Sequence, residues 1–326
     1  MSYVISFIIV LGVLIFFHEL GHFIVARFCG VGVEKFALGF GPRLFGKKIG
    51  ITDYRVAVFP LGGYVKMVGE EPDAEIDPAD IPISFTHKNV FKRILIVASG
   101  PLFNILLAVI IFFCFFQIYG MYKLEPVVGS VQKGMPAEKS GLIKDDRITA
   151  VDGVPINTWD DMASAISKST GKTINISVLR KESKINAKIT PVLKTDQNLF
   201  GETIKRYVIG ITASNDHVLS VRLNPFEAFY QSLAQTYRVS EMMIIGIFKL
   251  FKGDISVKTL GGPIMIAQIA GDQAKQGASN LIYFIAFISI NLAIVNFVPI
   301  PVLDGGHLMF FFIEAVFRKP VSIRFR

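Results

Sequence analysis

Three long apolar runs divide the chain. Tyr3 to Phe17 carries no charge, Ile94 to Ile118 holds only Asn104 and Gln117 as strongly polar members, and Leu281 to Ile300 holds only Ser289, Asn291 and Asn296. A helix rises about 1.5 Å per residue, so each run can cross or nearly cross the roughly 30 Å hydrocarbon layer of a bilayer. A fourth stretch, Leu308 to Phe317, contains Glu314 and is too short to span alone; it reads as the third helix continued beyond an interruption. Between the first two runs the period changes. Ile49 to Met67 alternates and is rich in β-branched residues, which predicts strands with Gly62 and Gly63 at a turn or bulge. Glu70 to Pro82 is acidic and punctuated by Pro72, Pro78 and Pro82, the pattern of an exposed loop. Further on, Phe226, Phe229, Tyr230, Leu233, Tyr237, Ile244, Ile245 and Phe248 recur at helical spacing. They predict an amphipathic helix over 225–251 that lies at a membrane interface or packs on the protein.

Residues 125–192 have a different texture, that of a compact soluble domain. Strands are predicted at Val127–Val131, Arg147–Val151, Thr173–Arg180 and Lys184–Ile189, with helices near Ala137–Ser140 and Trp159–Ser167 and turns at Lys133–Pro136 and Asp152–Gly153. This order, with Pro136-Ala137, Gly141-Leu142 and Ile148 to Gly153, resembles the bacterial form of a PDZ domain, although Asp145 stands where glycine is usual. A PDZ fold implies peptide binding by strand addition at a sheet edge, and a spacer or filter is the competing role.

Composition agrees with a membrane location: of 326 residues 52% are hydrophobic and 29 are Phe. The net charge of +8 is spread beside the apolar runs and forms no nucleic-acid patch. Basic residues between Lys35 and Arg93, and again from Arg318 to Arg326, place both regions on the cytoplasmic side by the positive-inside tendency. The segment from 120 to 280 is then extracytoplasmic. Met1 to Val10 has neither the basic start nor the cleavage pattern of a removable signal peptide. Cys29 and Cys114 lie at or inside apolar segments, so no structural disulfide is expected.

The chemistry begins at His18-Glu19-Leu20-Gly21-His22. Positions i and i+4 share a helix face, so both imidazoles can reach one ion, with Glu19 beside them to act on a water. Two histidines and a glutamate in an apolar helix are costly unless a metal or polar partners compensate; a polar patch bonding between helices is the plain alternative. Zinc ordinarily takes a third protein ligand. Pro299 and Pro301 break the third apolar run, and Asp304 with Gly305 and Gly306 can turn a carboxylate inward, which makes Asp304 the expected third ligand.

Taken together, the HELGH of 18–22, the PDZ-like segment and the NxxPxPxLDGG run of Asn296 to Gly306 resemble the site-2 protease family of intramembrane zinc metalloproteases, peptidase family M50, in its bacterial single-PDZ form. Gly39-Phe40-Gly41-Pro42, Gly100 to Asn104 and Leu260 to Ile264 extend the match nearly end to end. The resemblance implies a polytopic α-helical membrane fold with a re-entrant β element and an inserted PDZ domain, in a bacterial cytoplasmic membrane with the active site toward the cytoplasm. It implies Zn²⁺ on His18, His22 and Asp304 with Glu19 as catalytic base; His307 is a weaker alternative ligand. The β element, Tyr54 to Met67, would pair with an unwound substrate helix, with Tyr54, Val56 and Val58 as candidate contacts, while Asn291 and Asn296 would contact the substrate backbone. Asn104 either bonds across helices or touches substrate.

The expected organisation is a first transmembrane helix over 1–30, a loop with the β element over 31–92, a second helix over 93–120, the PDZ domain over 125–192, a post-PDZ region over 193–280, a third helix over 281–318, and a shortened C-terminal segment over 319–326 where the family has a further helix. Expected partners are transmembrane helices of single-pass membrane proteins such as anti-sigma factors or remnant signal peptides, a peptide or ectodomain at the PDZ domain, and the bilayer. Two other classes compete: an inactive PDZ-containing membrane adaptor and a metal transporter.

Overall fold

The structure is a computed structural model and describes residues 3–71, 76–197, 203–255 and 261–318. The expected C-terminal segment 319–326 and part of the acidic loop, 72–75, lie outside the described residues. The chain divides into two compact units, one formed by 1–115 with 226–326 and one by 116–225.

In the first unit, helix α1 runs Tyr3–Phe28 and helix α2 Val90–Tyr119, the latter with Pro101 inside it. Helices α5 (Pro225–Lys252) and α6 (Pro263–Gln276) precede α7 (Ala278–Phe297). Among the described residues, α1, α2 and α7 are long and apolar enough to cross a bilayer. After α7 the chain is irregular through Pro299 and Pro301 before α8 begins at Asp304 and runs to Phe317. The fourth apolar stretch is therefore a separate helix, because proline lacks the N–H that continuation would need. Helix α6 was not legible as periodicity; it packs on α1, where a side chain at Gly271 would overlap the Tyr3 ring. Val10 and Leu14 of α1, Leu107 of α2, and Leu281 and Ile285 of α7 form a buried seam between these helices.

Strands β1 (Val33–Ile49) and β2 (Thr52–Met67) form the β element. Strands extend N-terminally beyond the expected 49–67: the chain turns at Gly50, while Gly62 and Gly63 lie within β2 at an irregularity, where the partners of Leu38 and Phe40 jump from Gly63 to Phe59. Gly39 and Gly41, at φ 90° and 91°, bend β1 and hide its alternation in the sequence. Residues 35–38 have partners on both sides, 63–66 and 53–56, and residues 43–49 pair with 52–57. Residues 63–67 form an outer edge, whereas 53–56 lie between two paired segments.

The second unit is wider than the expected 125–192. Its central sheet, in the order β6-β5-β7-β8, joins β5 (Arg147–Val151), β6 (Val154–Pro155), β7 (Ile174–Arg180) and β8 (Ser183–Ile189). Helix α3 (Pro136–Lys139) and helix α4 (Trp159–Lys168) accompany it. Ile148, Ile176, Val178, Ile189, Met162 and Ile166 fill one apolar core, and Thr158 caps α4 reciprocally with Asp161. Ile209 belongs to the same core, and β11 (Ile211–Ala213) pairs with β4 (Val128–Val131), so later residues complete the fold. Asp145 adopts φ 69°, the conformation for which glycine is usual and which aspartate tolerates better than most residues. Arg180 holds the fully buried Asp146 carboxylate through both of its oxygens.

Candidate metal centre

Helix α1 places His18 and His22 one turn apart with their rings nearly perpendicular, at 86°. The first turn of α8 brings in Asp304 across the full length of the sequence. His18 Nε2 lies 3.2 Å from Asp304 Oδ2, His22 Nε2 lies 3.6 Å from Asp304 Oδ1, and the two Nε2 atoms are 3.3 Å apart. Four-coordinate zinc binds imidazole nitrogen and carboxylate oxygen at about 2.0–2.2 Å, and at those bond lengths tetrahedral geometry separates neighbouring donors by about 3.3–3.6 Å. The three donors have that spacing. Asp304 Oδ2 is also buried with no hydrogen-bond partner among the described residues, a costly state that a cation would relieve. These residues thus fit a metal ion. His307 lines the same cleft but is not one of the converging donors.

The rings are oriented from α2. His22 Nδ1 donates to the Ile96 carbonyl at 2.9 Å, which leaves Nε2 with a free lone pair facing Asp304. Glycines let the helices meet. A Cβ at Gly100 would overlap His22 Nε2 and crowd His18, and one at Gly21 would strike the Ser99 backbone. Small residues at membrane helix contacts serve this close approach. The signal was visible as Gly-Pro inside an apolar run, but its meaning depends on which helix it faces.

The donors open on a cleft of about 460 Å³. Glu19 lines it, as does Val65 of the strand edge. Gly62 to Val65 and Met67 form one wall, and Leu292, Asn296, Val302 and Leu303 another. Asn296 is thus at the cleft, whereas Asn291 is not among its lining residues. Tyr54, Val56 and Val58 do not reach it either. Tyr54 packs against Phe23 and Phe36, and 53–56 have no free backbone edge because both sides are paired. The edge strand at the cleft is 63–67, set close to α1 because Gly63 has no side chain to meet Ile15 and Glu19.

A histidine pair with an intervening glutamate, closed by an aspartate from another helix in an apolar bundle, is a donor set suited to a membrane metallopeptidase. The chain belongs to peptidase family M50, whose profile matches residues 6–326. It is 36% identical to a protein of Mesorhizobium japonicum over 98% of this chain and 91% of the relative. A Campylobacter jejuni protein is 35% identical over 97% of this chain and 85% of its own. Both are named as candidate zinc metalloproteases. Among solved structures, the PDZ domain of an SdrC-like protein from Listeria monocytogenes is 25% identical, covering 28% of this chain and 87% of its own at a TM-score of 0.23.

Proposed function

We propose that the protein is an intramembrane zinc endopeptidase of the site-2 type that cleaves transmembrane segments of single-pass membrane proteins. The observation that carries this reading is the tetrahedral spacing of His18, His22 and Asp304 in an apolar bundle, beside Glu19 and an open strand edge. Zinc on these three ligands would supply Lewis acidity and lower the pKa of a coordinated water toward about 7.

The remaining work falls to the chain. A transmembrane helix hides its scissile carbonyl in its own hydrogen bonds and must unwind locally, which in an apolar medium requires replacement partners. The 63–67 edge supplies backbone groups for strand addition, and the Asn296 carboxamide offers a donor and an acceptor across the cleft. Glu19 takes the proton of the attacking water and returns it to the departing amide nitrogen.

In the second unit, Trp159, Met162 and Ile166 of α4 face Tyr207, Ile209 and Ile211 across a groove of about 270 Å³. An extended peptide or substrate ectodomain fits such a groove as an added strand. By the charge distribution this unit is extracytoplasmic and the metal centre lies toward the cytoplasm of a bacterial cell.

The test is cleavage of a single-pass substrate in proteoliposomes. The wild type is expected to cleave it, and Glu19→Gln is expected to lose activity on the order of 1,000-fold, within the range for a general acid–base group, while keeping its zinc. Unchanged cleavage by Glu19→Gln would contradict the mechanism. Peptide binding without wild-type cleavage would favour an adaptor, and metal flux without cleavage a transporter.

A further inference from the structure

Asn104 is fully buried on α2, and its side chain faces His18 Nδ1 at 3.4 Å. His18 directs its other nitrogen, Nε2, toward Asp304, so as a metal ligand the ring must carry its proton on Nδ1. With the amide nitrogen toward the ring, two N–H groups would confront each other. Asn104 Oδ1 meanwhile has no hydrogen-bond partner among the described residues. The two ends of a carboxamide are nearly isosteric, and turning the amide by half a rotation replaces the donor–donor contact at His18 with a donor–acceptor one. The oxygen then accepts the His18 Nδ1–H, and the buried orphan acceptor disappears.

We propose that Asn104 is the positioning residue for His18: its amide oxygen holds the imidazole in the Nδ1-protonated tautomer with Nε2 free for the metal. The reading deepens the proposed metal centre and rests on it. His22 has the matching arrangement through the Ile96 carbonyl, so α2 orients both histidines of α1, one by main chain and one by side chain. Asn104 is itself fixed from a third helix, because Ser289 of α7 donates to its backbone carbonyl at 2.8 Å. That contact does not involve the carboxamide, which provides an internal control. The bond across helices that the sequence allowed for Asn104 is thus made, and its partner is a ligand ring.

The experiment measures zinc affinity of the full chain in detergent by chelator competition, with metal content read independently of proteolysis. Asn104→Leu, which removes the acceptor at similar volume, is expected to weaken zinc by about 10–100-fold, the usual effect of losing a partner of a ligating histidine. Asn104→Asp keeps an acceptor and is expected to stay within a few-fold of wild type. Ser289→Ala, which leaves the carboxamide in place, is expected to do the same. Wild-type affinity in Asn104→Leu overturns the assignment, as does equal loss in Asn104→Leu and Asn104→Asp, which would mark a packing role. A wild type that binds zinc but cleaves nothing would defeat the protease reading while leaving this assignment standing.

Discussion

The two units of the chain are held together by different means. The PDZ-like unit follows the physics of a water-soluble domain, with a contiguous apolar core, regular antiparallel ladders and a reciprocal helix cap. Burial of apolar area from water drives such a core, and many residues share the task. The membrane unit cannot rely on that drive between helices, since lipid is as apolar as leucine. Its site depends instead on a few close approaches and polar contacts: Gly21 and Gly100 at the α1–α2 crossing, the Ile96 carbonyl on His22, and Arg93 paired with Glu314 between α2 and α8. Sensitivity to substitution should therefore be concentrated at a few positions in one unit and spread widely in the other.

The largest effect is expected at Gly100. Gly100→Leu places carbon where the His22 and His18 rings stand, and zinc retention should fall by more than about 100-fold, as for badly misplaced catalytic geometry. Hydrogen exchange of 128–189 in the same protein should be unchanged. Next is Arg93→Met. Arg93 and Glu314 are nearly buried, and Arg93 also lies over Phe311. Removing the cation is expected to cost about 3 kcal/mol in the packing of α8, seen as faster exchange in 304–317 and weaker zinc binding, because α8 carries Asp304. In the other unit Arg180→Met removes the cation from the buried Asp146, which keeps the Ile143 N–H as a donor; with Arg180 partly exposed, the expected cost is smaller than at Arg93, measured as lost protection in β5 and β7 with zinc affinity intact. The smallest effect is Thr158→Ala, about 1 kcal/mol from loss of the α4 cap, confined to fraying of that helix. Loss of zinc binding in the last two substitutions as large as in the first two would break the contrast.

The same difference governs what could be read in advance. In the PDZ-like unit the alternation and turn residues locate β5 at Arg147–Val151 and α4 from Trp159, because each element's pattern is local. That unit extends past 192 because β11 pairs with β4, a long-range partnership its short strands do not announce. In the membrane unit His18, Glu19, His22 and Asp304 were legible from residue type, spacing and the proline break. Which part of Tyr54 to Met67 keeps an open edge was not. Alternation from Tyr54 to Val58 marks a strand but is silent on which side of the sheet stays unpaired, and the free edge falls at glycine-containing residues with little pattern of their own. Gly100 and the orphan oxygen of Asn104 gain meaning only from what stands opposite them.

The central claim is that one metal ion joins α1 to α8, and X-ray absorption at the zinc edge of the purified full chain tests it most directly. The account predicts one zinc per chain in a shell of two imidazoles and oxygen donors at about 2.0–2.1 Å, with that shell lost in Asp304→Ala. A sulfur-containing shell, or a zinc environment that Asp304→Ala leaves unaltered, would contradict it.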